Sequence, residues 1–313
     1  MSSLPLIRPP RLRPGATIGV AAVSGPVVEE RLRRGVAALE GRGYRVRLAS
    51  NAFARRGFLA GSDEERARGY VELLADPSVD AIFFARGGYG SSRILSRLPA
   101  DAVAARPRIH LGGSDLTALF AYLQSRVGLV GFYGPMPAVE MAVDAGDGLD
   151  WESVLGGDVP AAHECAPADV LAGGTGEGPL RGGCLSLLAS LAGTPEAIDA
   201  RGAVLFWEDV GEETYRLDRM LTQLERSGTL DGLHAMLIGS ISPGARGGGE
   251  SAEAVATWLE DRFRGAPYPV VRGFPAGHLA RPRTLPLGVA VRIHANAGGD
   301  SGGRLEFLDS GVV

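Results

Sequence analysis

Lysine is absent from all 313 residues, so the 32 basic side chains are all arginine. Chemistry that needs a primary amine is excluded with it: a Walker A loop, a pyridoxal phosphate Schiff base, a lysine aldolase or a serine–lysine dyad. Cysteine is nearly as scarce. Cys165 and Cys184 are too few and too far apart for a disulfide framework or a CxxC motif, which fits a reducing compartment. Five scattered histidines without HExxH predict no zinc site, and no cofactor is expected. No run reaches 18 uninterrupted apolar residues. The opening MSSLPLIRPPRLRPG lacks the apolar core of a secretion signal, so a cytoplasmic chain with no membrane partner is expected. A net charge of −4 with no basic tract removes nucleic acid from the expected partners.

What is present describes a folded chain. Hydrophobic residues make up 45% and charged residues 22%, enough for an ordinary core, and 46 glycines with 20 prolines mark many tight turns. The length suggests two domains. From residue 17 to about 132, the apolar runs TIGVAA, YRVRLA, AIFFA, RIHLG and GLVGF read as strands. The segments between them have helical periodicity, and one opens on a capping box formed by Ser62 and Glu65. This alternation predicts an α/β fold: an N-terminal doubly wound, mostly parallel, flavodoxin-like sheet over 1–157. Residues 158–180 lose periodicity and collect Gly, Pro, Ala and acids, so they read as a linker. Residues 181–313 then read as a mixed α/β domain, with strands AVLFW (203–207) and HAMLIGSI (234–241) and helices over 184–192, 214–228 and 251–263. Further β-like stretches lie near 269–272, 287–294 and 304–308.

Chemistry concentrates in a few places. In RIHLGGSDLTALFAYLQ a strand runs through Gly112-Gly113-Ser114-Asp115 straight into a helix. Ser114 at such an elbow stands exposed at the strand's carboxyl end, and the Asp115 amide at the helix start can face a developing oxyanion. Leu116 stands where GxSxG would have its last glycine, and the alternative role for Ser114 is a helix cap. A second glycine turn, Arg86-Gly87-Gly88-Tyr89-Gly90, follows AIFFA and offers backbone amides to an acyl oxyanion or a carboxylate, or is simply a tight turn. A serine needs a base, and the base an orienting acid. Of the histidines, His110 lies within a strand as a core residue, His163 in the linker, His234 at a strand start and His294 in a terminal strand. His278, in GFPAGHLARPRTLPLG, lies on an exposed loop. Glu208 and Asp209, following AVLFW, are both candidates for the acid, or are helix-start acids.

RGGYGS (86–91), GGSDLT (112–117), GPM (134–136), LFWEDVGEETYRLDRML (205–221) and GHLARPRTLPLG (277–288), in this order, resemble the LD-carboxypeptidases, cytoplasmic serine peptidases of murein recycling. RPGATIGVAAVSGP (13–26) and FLAGSDEERA (58–67) extend the likeness over nearly the whole chain. The resemblance implies a triad of Ser114, Glu208 and His278, acting on a murein tetrapeptide to release its terminal D-alanine. The Asp115 and Gly88 amides would form the oxyanion hole, and the protein would be a homodimer. With the nucleophile in the first domain and Glu208 and His278 in the second, the expected site draws on both. A carboxypeptidase also needs a cation for the terminal carboxylate; without lysine this falls to arginine or backbone amides, and Arg86 is the expected clamp. The chain departs from the family pattern at Gly113, where an aromatic is frequent, at Cys184, in place of the Asn of GGNLS, and at Tyr133, where a histidine often precedes GPM. The FYGP so formed is similar to a branch resembling microcin C immunity proteins, which hydrolyse acylated nucleotide antibiotics. The YRLDRML helix and the moderate length favour the murein branch. From another class, a non-catalytic two-lobed binding protein is the competing expectation.

Overall fold

The computed structural model describes residues 4–244, 251–296 and 302–313. Two compact units emerge: Met1–Asp158 with Ala280–Gly288 and Ser310–Val313, and Val159–Leu279 with Val289–Asp309.

In the first unit, strands β1 (Thr17–Ala21), β2 (Arg45–Leu48), β3 (Ala81–Phe84), β4 (Ile109–Gly112) and β5 (Gly131–Tyr133) alternate with helices α1 (Glu29–Gly41), α2 (Asp63–Ala75), α3 (Ala100–Ala105) and α4 (Leu116–Arg126); α5 (Trp151–Gly156) follows. The five strands are parallel in the order 5-4-3-1-2, which is the flavodoxin-like winding, and Leu285–Leu287 adds an antiparallel edge against β5. The runs TIGVA, AIFF and IHLG are buried throughout, as strands covered on both faces require. The capping box is present: Ser62 Oγ accepts from the Glu65 amide at 3.2 Å, and Glu65 Oε2 accepts from the Ser62 amide at 2.7 Å. At the other end of α2, buried Arg108 donates to the carbonyls of Leu73 (3.0 Å), Leu74 (2.6 Å) and Asp76 (2.8 Å), satisfying groups that the last helical turn leaves open.

The second unit holds β6 (His163–Cys165), β7 (Val170–Ala172), β8 (Gly174–Cys184), β9 (Val204–Glu212), β10 (Ala235–Pro243) and β11 (Val270–Val271). With Leu285–Leu287 counted as β12, β13 (Ala290–Ala295) and β14 (Gly303–Phe307) complete a mixed sheet in the order β6-β14-β13-β8-β9-β10-β11-β7. Helices α6 (Leu185–Leu191), α7 (Thr214–Arg226) and α8 (Ala252–Phe263) accompany it. Leu217, Leu221 and Leu224 form the buried stripe of α7 and join Leu205, Trp207, Met236 and Leu259 in one core.

Two expectations about chain organisation need correction. Residues 158–180, read as a linker, carry β6, β7 and the first part of β8. β6 and β7 are only three residues each, too short to show a period, and glycine hid β8, because it carries no apolar signal, yet close packing requires it: a side chain at Gly178 would run into the Gly202 carbonyl. The stretch 287–294, read as one strand within the second domain, is two. Gly288, at φ +106°, separates β12, which belongs to the first unit, from β13, which belongs to the second.

Candidate active site

Ser114 occupies the turn from β4 into α4 at φ +60°, the left-handed region that a residue with a Cβ enters only at a cost of about 1–2 kcal/mol. The turn carries the serine out of the strand line while the rest of the elbow is buried; Ser114 itself is half-buried. Its amide donates to the Tyr133 hydroxyl at 2.8 Å. The amides of Asp115 and Gly88 donate no hydrogen bond among the described residues. The glycine turn after β3 lies directly against this serine. A Cβ placed on Gly87 would come to 2.7 Å from Ser114 Cβ, 2.9 Å from Ser114 Oγ and 3.3 Å from the Asp115 nitrogen, so only glycine leaves that space open.

Sequence reasoning missed what holds these loops together. Asp115, fully buried, accepts from Ser24 Oγ at 2.5 Å and from the Ser91 amide at 2.8 Å through one carboxylate oxygen, and Ser91 Oγ donates to its carbonyl at 2.6 Å. The loops after β1, β3 and β4 are thereby tied to one residue. Arg66, also fully buried, reaches from α2 to the carbonyls of Val23 and Gly90 (the latter at 2.7 Å) and pairs with Asp63 at 2.5 Å. Burial of these charged residues was not legible in the sequence, because an Asp and an Arg in helical segments ordinarily face water. Arg86 is half-buried; its Nη1 donates to the Pro26 carbonyl at 3.2 Å, and its Nε has no partner among the described residues.

In the second unit, β9 runs on past the apolar AVLFW through Glu212, so Glu208 and Asp209 lie inside a strand rather than after one. Adjacent strand residues face opposite ways, and this separates the two acids. Glu208, fully buried, receives His278 Nδ1 at 2.7 Å and the His278 amide at 3.1 Å. Asp209 instead accepts from the amides of Ser186 (2.7 Å), in the first turn of α6, and Val210 (2.8 Å), with its carboxyl pushed up by burial. A carboxylate can only accept, so the His278 proton sits on Nδ1 and Nε2 is the basic nitrogen.

The remaining histidines have structural surroundings. His110 is fully buried, its Nδ1 donating to the Arg108 carbonyl and its Nε2 accepting from Tyr70, both at 2.9 Å. His234 Nδ1 donates to the Glu177 carbonyl at 2.7 Å, His294 meets Thr175 at 3.0 Å and His163 lies edge-on to Phe274. No cluster of three His, Cys, Asp or Glu side chains suited to a metal occurs among the described residues.

Residues 18–134 match the LD-carboxypeptidase N-terminal domain and residues 177–293 the LD-carboxypeptidase C-terminal domain. The Streptomyces coelicolor protein SCO6489, which bears a carboxypeptidase name, is 41% identical over 94% of this chain and 95% of its own length. The chain belongs to the LD-carboxypeptidase family. It is thus a carboxypeptidase of the serine-peptidase class. The muramoyltetrapeptide carboxypeptidase of Oxalobacter formigenes has a similar structure, with a TM-score of 0.81, 30% identity and coverage of 94% of this chain and 99% of that one. The Escherichia coli microcin C7 self-immunity protein MccF, solved with glutamyl sulfamoyl guanosine, scores 0.83 at 25% identity, covering 98% and 99%. Among the described residues of this LD-carboxypeptidase, no helix is long and apolar enough to cross a membrane.

Proposed function

We propose that this enzyme removes the terminal D-alanine of murein tetrapeptides, with Ser114 as nucleophile, His278 as base and Glu208 as the acid that orients it. The observation that carries this reading is the fully buried Glu208 carboxylate held 2.7 Å from His278 Nδ1, an arrangement that fixes the tautomer a general base needs and stabilises the cation formed on proton uptake. His278 Nε2 takes the Ser114 proton as Oγ adds to the carbonyl of the scissile amide. The amides of Asp115 and Gly88 receive the oxyanion. The C–N bond then breaks, the proton passes from His278 to the departing amine, and D-alanine leaves. Water, deprotonated by the same imidazole, cleaves the Ser114 ester and restores the enzyme. Arg86 is the proposed clamp for the terminal carboxylate; it is half-buried and opens the glycine turn that lies against Ser114, which supports that role. The same reading carries a cytoplasmic homodimer, which cell fractionation and sedimentation would test.

Incubation with murein tetrapeptide and, separately, with an acyl sulfamoyl adenosine, followed by mass spectrometry, tests the substrate. Release of alanine from the first by the native protein, and not by Ser114→Ala, is the expected result. Cleavage of the second alone would assign the chain to the chemistry suggested by MccF. Binding of either without cleavage would make it a binding protein.

A further inference from the structure

We propose that Tyr133 is a positioning residue for the nucleophile: by accepting the Ser114 amide, its hydroxyl holds Ser114 in the left-handed conformation from which the side chain reacts. This rests on the serine mechanism proposed above.

The hydroxyl lies 2.8 Å from the Ser114 nitrogen, and packing fixes its place. Tyr133 ends β5, where it is in register with Gly112 of β4, and the Gly134 amide donates to the Gly112 carbonyl at 2.9 Å just beyond. Only 2% of the residue is exposed; its ring meets Phe120 edge-on at 6.4 Å and lies against Gly113, where an added Cβ would be 3.5 Å from the ring carbon bearing the hydroxyl. Two neighbours of the nucleophile, one in sequence and one across the sheet, thus place the oxygen at the elbow.

The Ser114 amide has need of such an acceptor. At φ +60° it is turned out of the β4 ladder, and it precedes the first residue of α4, so neither regular element supplies a carbonyl. A side-chain oxygen from the neighbouring strand meets that need without closing the space in front of Oγ. It also divides the labour at the elbow. The Ser114 amide is engaged by the protein itself, so the oxyanion falls to the amides of Asp115 and Gly88. Loss of the hydroxyl therefore disturbs the reacting atom and leaves substrate binding alone, a separation that a purely structural role would not produce.

The test compares wild type, Tyr133→Phe and Ser114→Ala in tetrapeptide hydrolysis, in the rate of fluorophosphonate labelling at Ser114, and in hydrogen exchange of the Ser114 amide. Tyr133→Phe is expected to lower kcat about 10- to 100-fold with KM changed less than about threefold, and to slow labelling in proportion. Ser114 amide exchange should be slow in wild type and at least about tenfold faster in the variant. A folded Tyr133→Phe with kcat within about twofold of wild type, or with its loss confined to KM, overturns the role of Tyr133 alone. Should the variant fail to fold, the wild-type measurement decides: a Ser114 amide exchanging at the rate of an open chain overturns the proposal. Wild-type protein that neither cleaves the tetrapeptide nor takes the label at Ser114 overturns the serine mechanism, and the role given to Tyr133 falls with it.

Discussion

One oxygen of Glu208, Oε2, takes two hydrogen bonds from His278, one from the ring at 2.7 Å and one from the backbone amide at 3.1 Å. The carboxylate thereby fixes the loop position of the histidine as well as the orientation of its ring. The imidazole is 27% exposed while the carboxylate is fully buried, so the charge that stabilises an imidazolium is shielded from solvent. Close by, a Cβ on Gly277 would stand 2.5 Å from Glu208 Oε2, so the glycine before the histidine permits this approach.

Under the proposed mechanism, Ser114→Ala, Glu208→Ala and His278→Ala are each expected to reduce kcat for tetrapeptide hydrolysis on the order of 10⁴-fold, because the members of a triad act as a unit. Steady-state kinetics on folded variants checks this. Near wild-type turnover by Ser114→Ala would end the serine mechanism.

Gly87→Ala is expected to reduce kcat by about 10²-fold or more, since its methyl group would sit 2.7 Å from Ser114 Cβ and 3.3 Å from the Asp115 nitrogen, in the space the proposed mechanism gives to the oxyanion. Kinetics with a thermal melt as control separates this from misfolding. Full activity would show that the loop moves aside freely.

Asp115→Ala leaves the Ser24 hydroxyl and the Ser91 amide without their buried acceptor. The expected loss is about 2–4 kcal/mol in urea unfolding, together with reduced turnover as the three loops separate. A loss under about 0.5 kcal/mol would show that water replaces the carboxylate.

Burial lowers the pKa of His110 to about 4, below the usual value of about 6.5 for an exposed histidine. The unfolded chain therefore takes up this proton first. The contribution of neutral His110 is complete above about pH 6.5 and declines as pH falls towards 4, by roughly 3 kcal/mol in all. His110→Gln, which can still donate to the Arg108 carbonyl and accept from Tyr70, should flatten that part of the stability–pH curve. Unfolding midpoints measured between pH 4 and 7 provide the check, and an unchanged slope would assign the acid sensitivity to other groups.

Arg86→Ala is expected to lower kcat/KM for the free-acid tetrapeptide by roughly 30- to 1000-fold while hardly changing cleavage of a C-terminally amidated analogue. Equal losses on both would make the Arg86–Pro26 contact its whole role and move the search to Arg281 and Arg283.

The sequence determined the five parallel strands of the first unit and their alternation with helices, though not its edge strand β12, which comes from the far end of the chain. Apart from the edge strand β2, whose RVRL alternates exposed and half-buried residues, the unit's parallel strands are covered on both faces and read as apolar runs, while its helices repeat apolar residues every three or four positions, so burial is written directly into composition. The serine elbow was equally plain, because Gly-Gly-Ser-Asp between an apolar strand run and an apolar-periodic helix offers the backbone freedom that a tight strand-to-helix turn needs. The preference for Glu208 over Asp209 came from resemblance; in the structure β9 continues and sends the two side chains to opposite faces, so that Glu208 meets His278 and Asp209 meets Ser186. Tertiary structure alone decided the rest. The glycine-rich β8 is a strand because β13 and β9 pair with it, at an approach too close for side chains at Gly176 and Gly178, and no local pattern announces a distant carbonyl. Arg66, Asp115 and Tyr133 took their roles from partners far away in sequence. Their chemistry can be read from the sequence, but the low-dielectric surroundings and fixed distances that make each one matter exist only once the chain has folded.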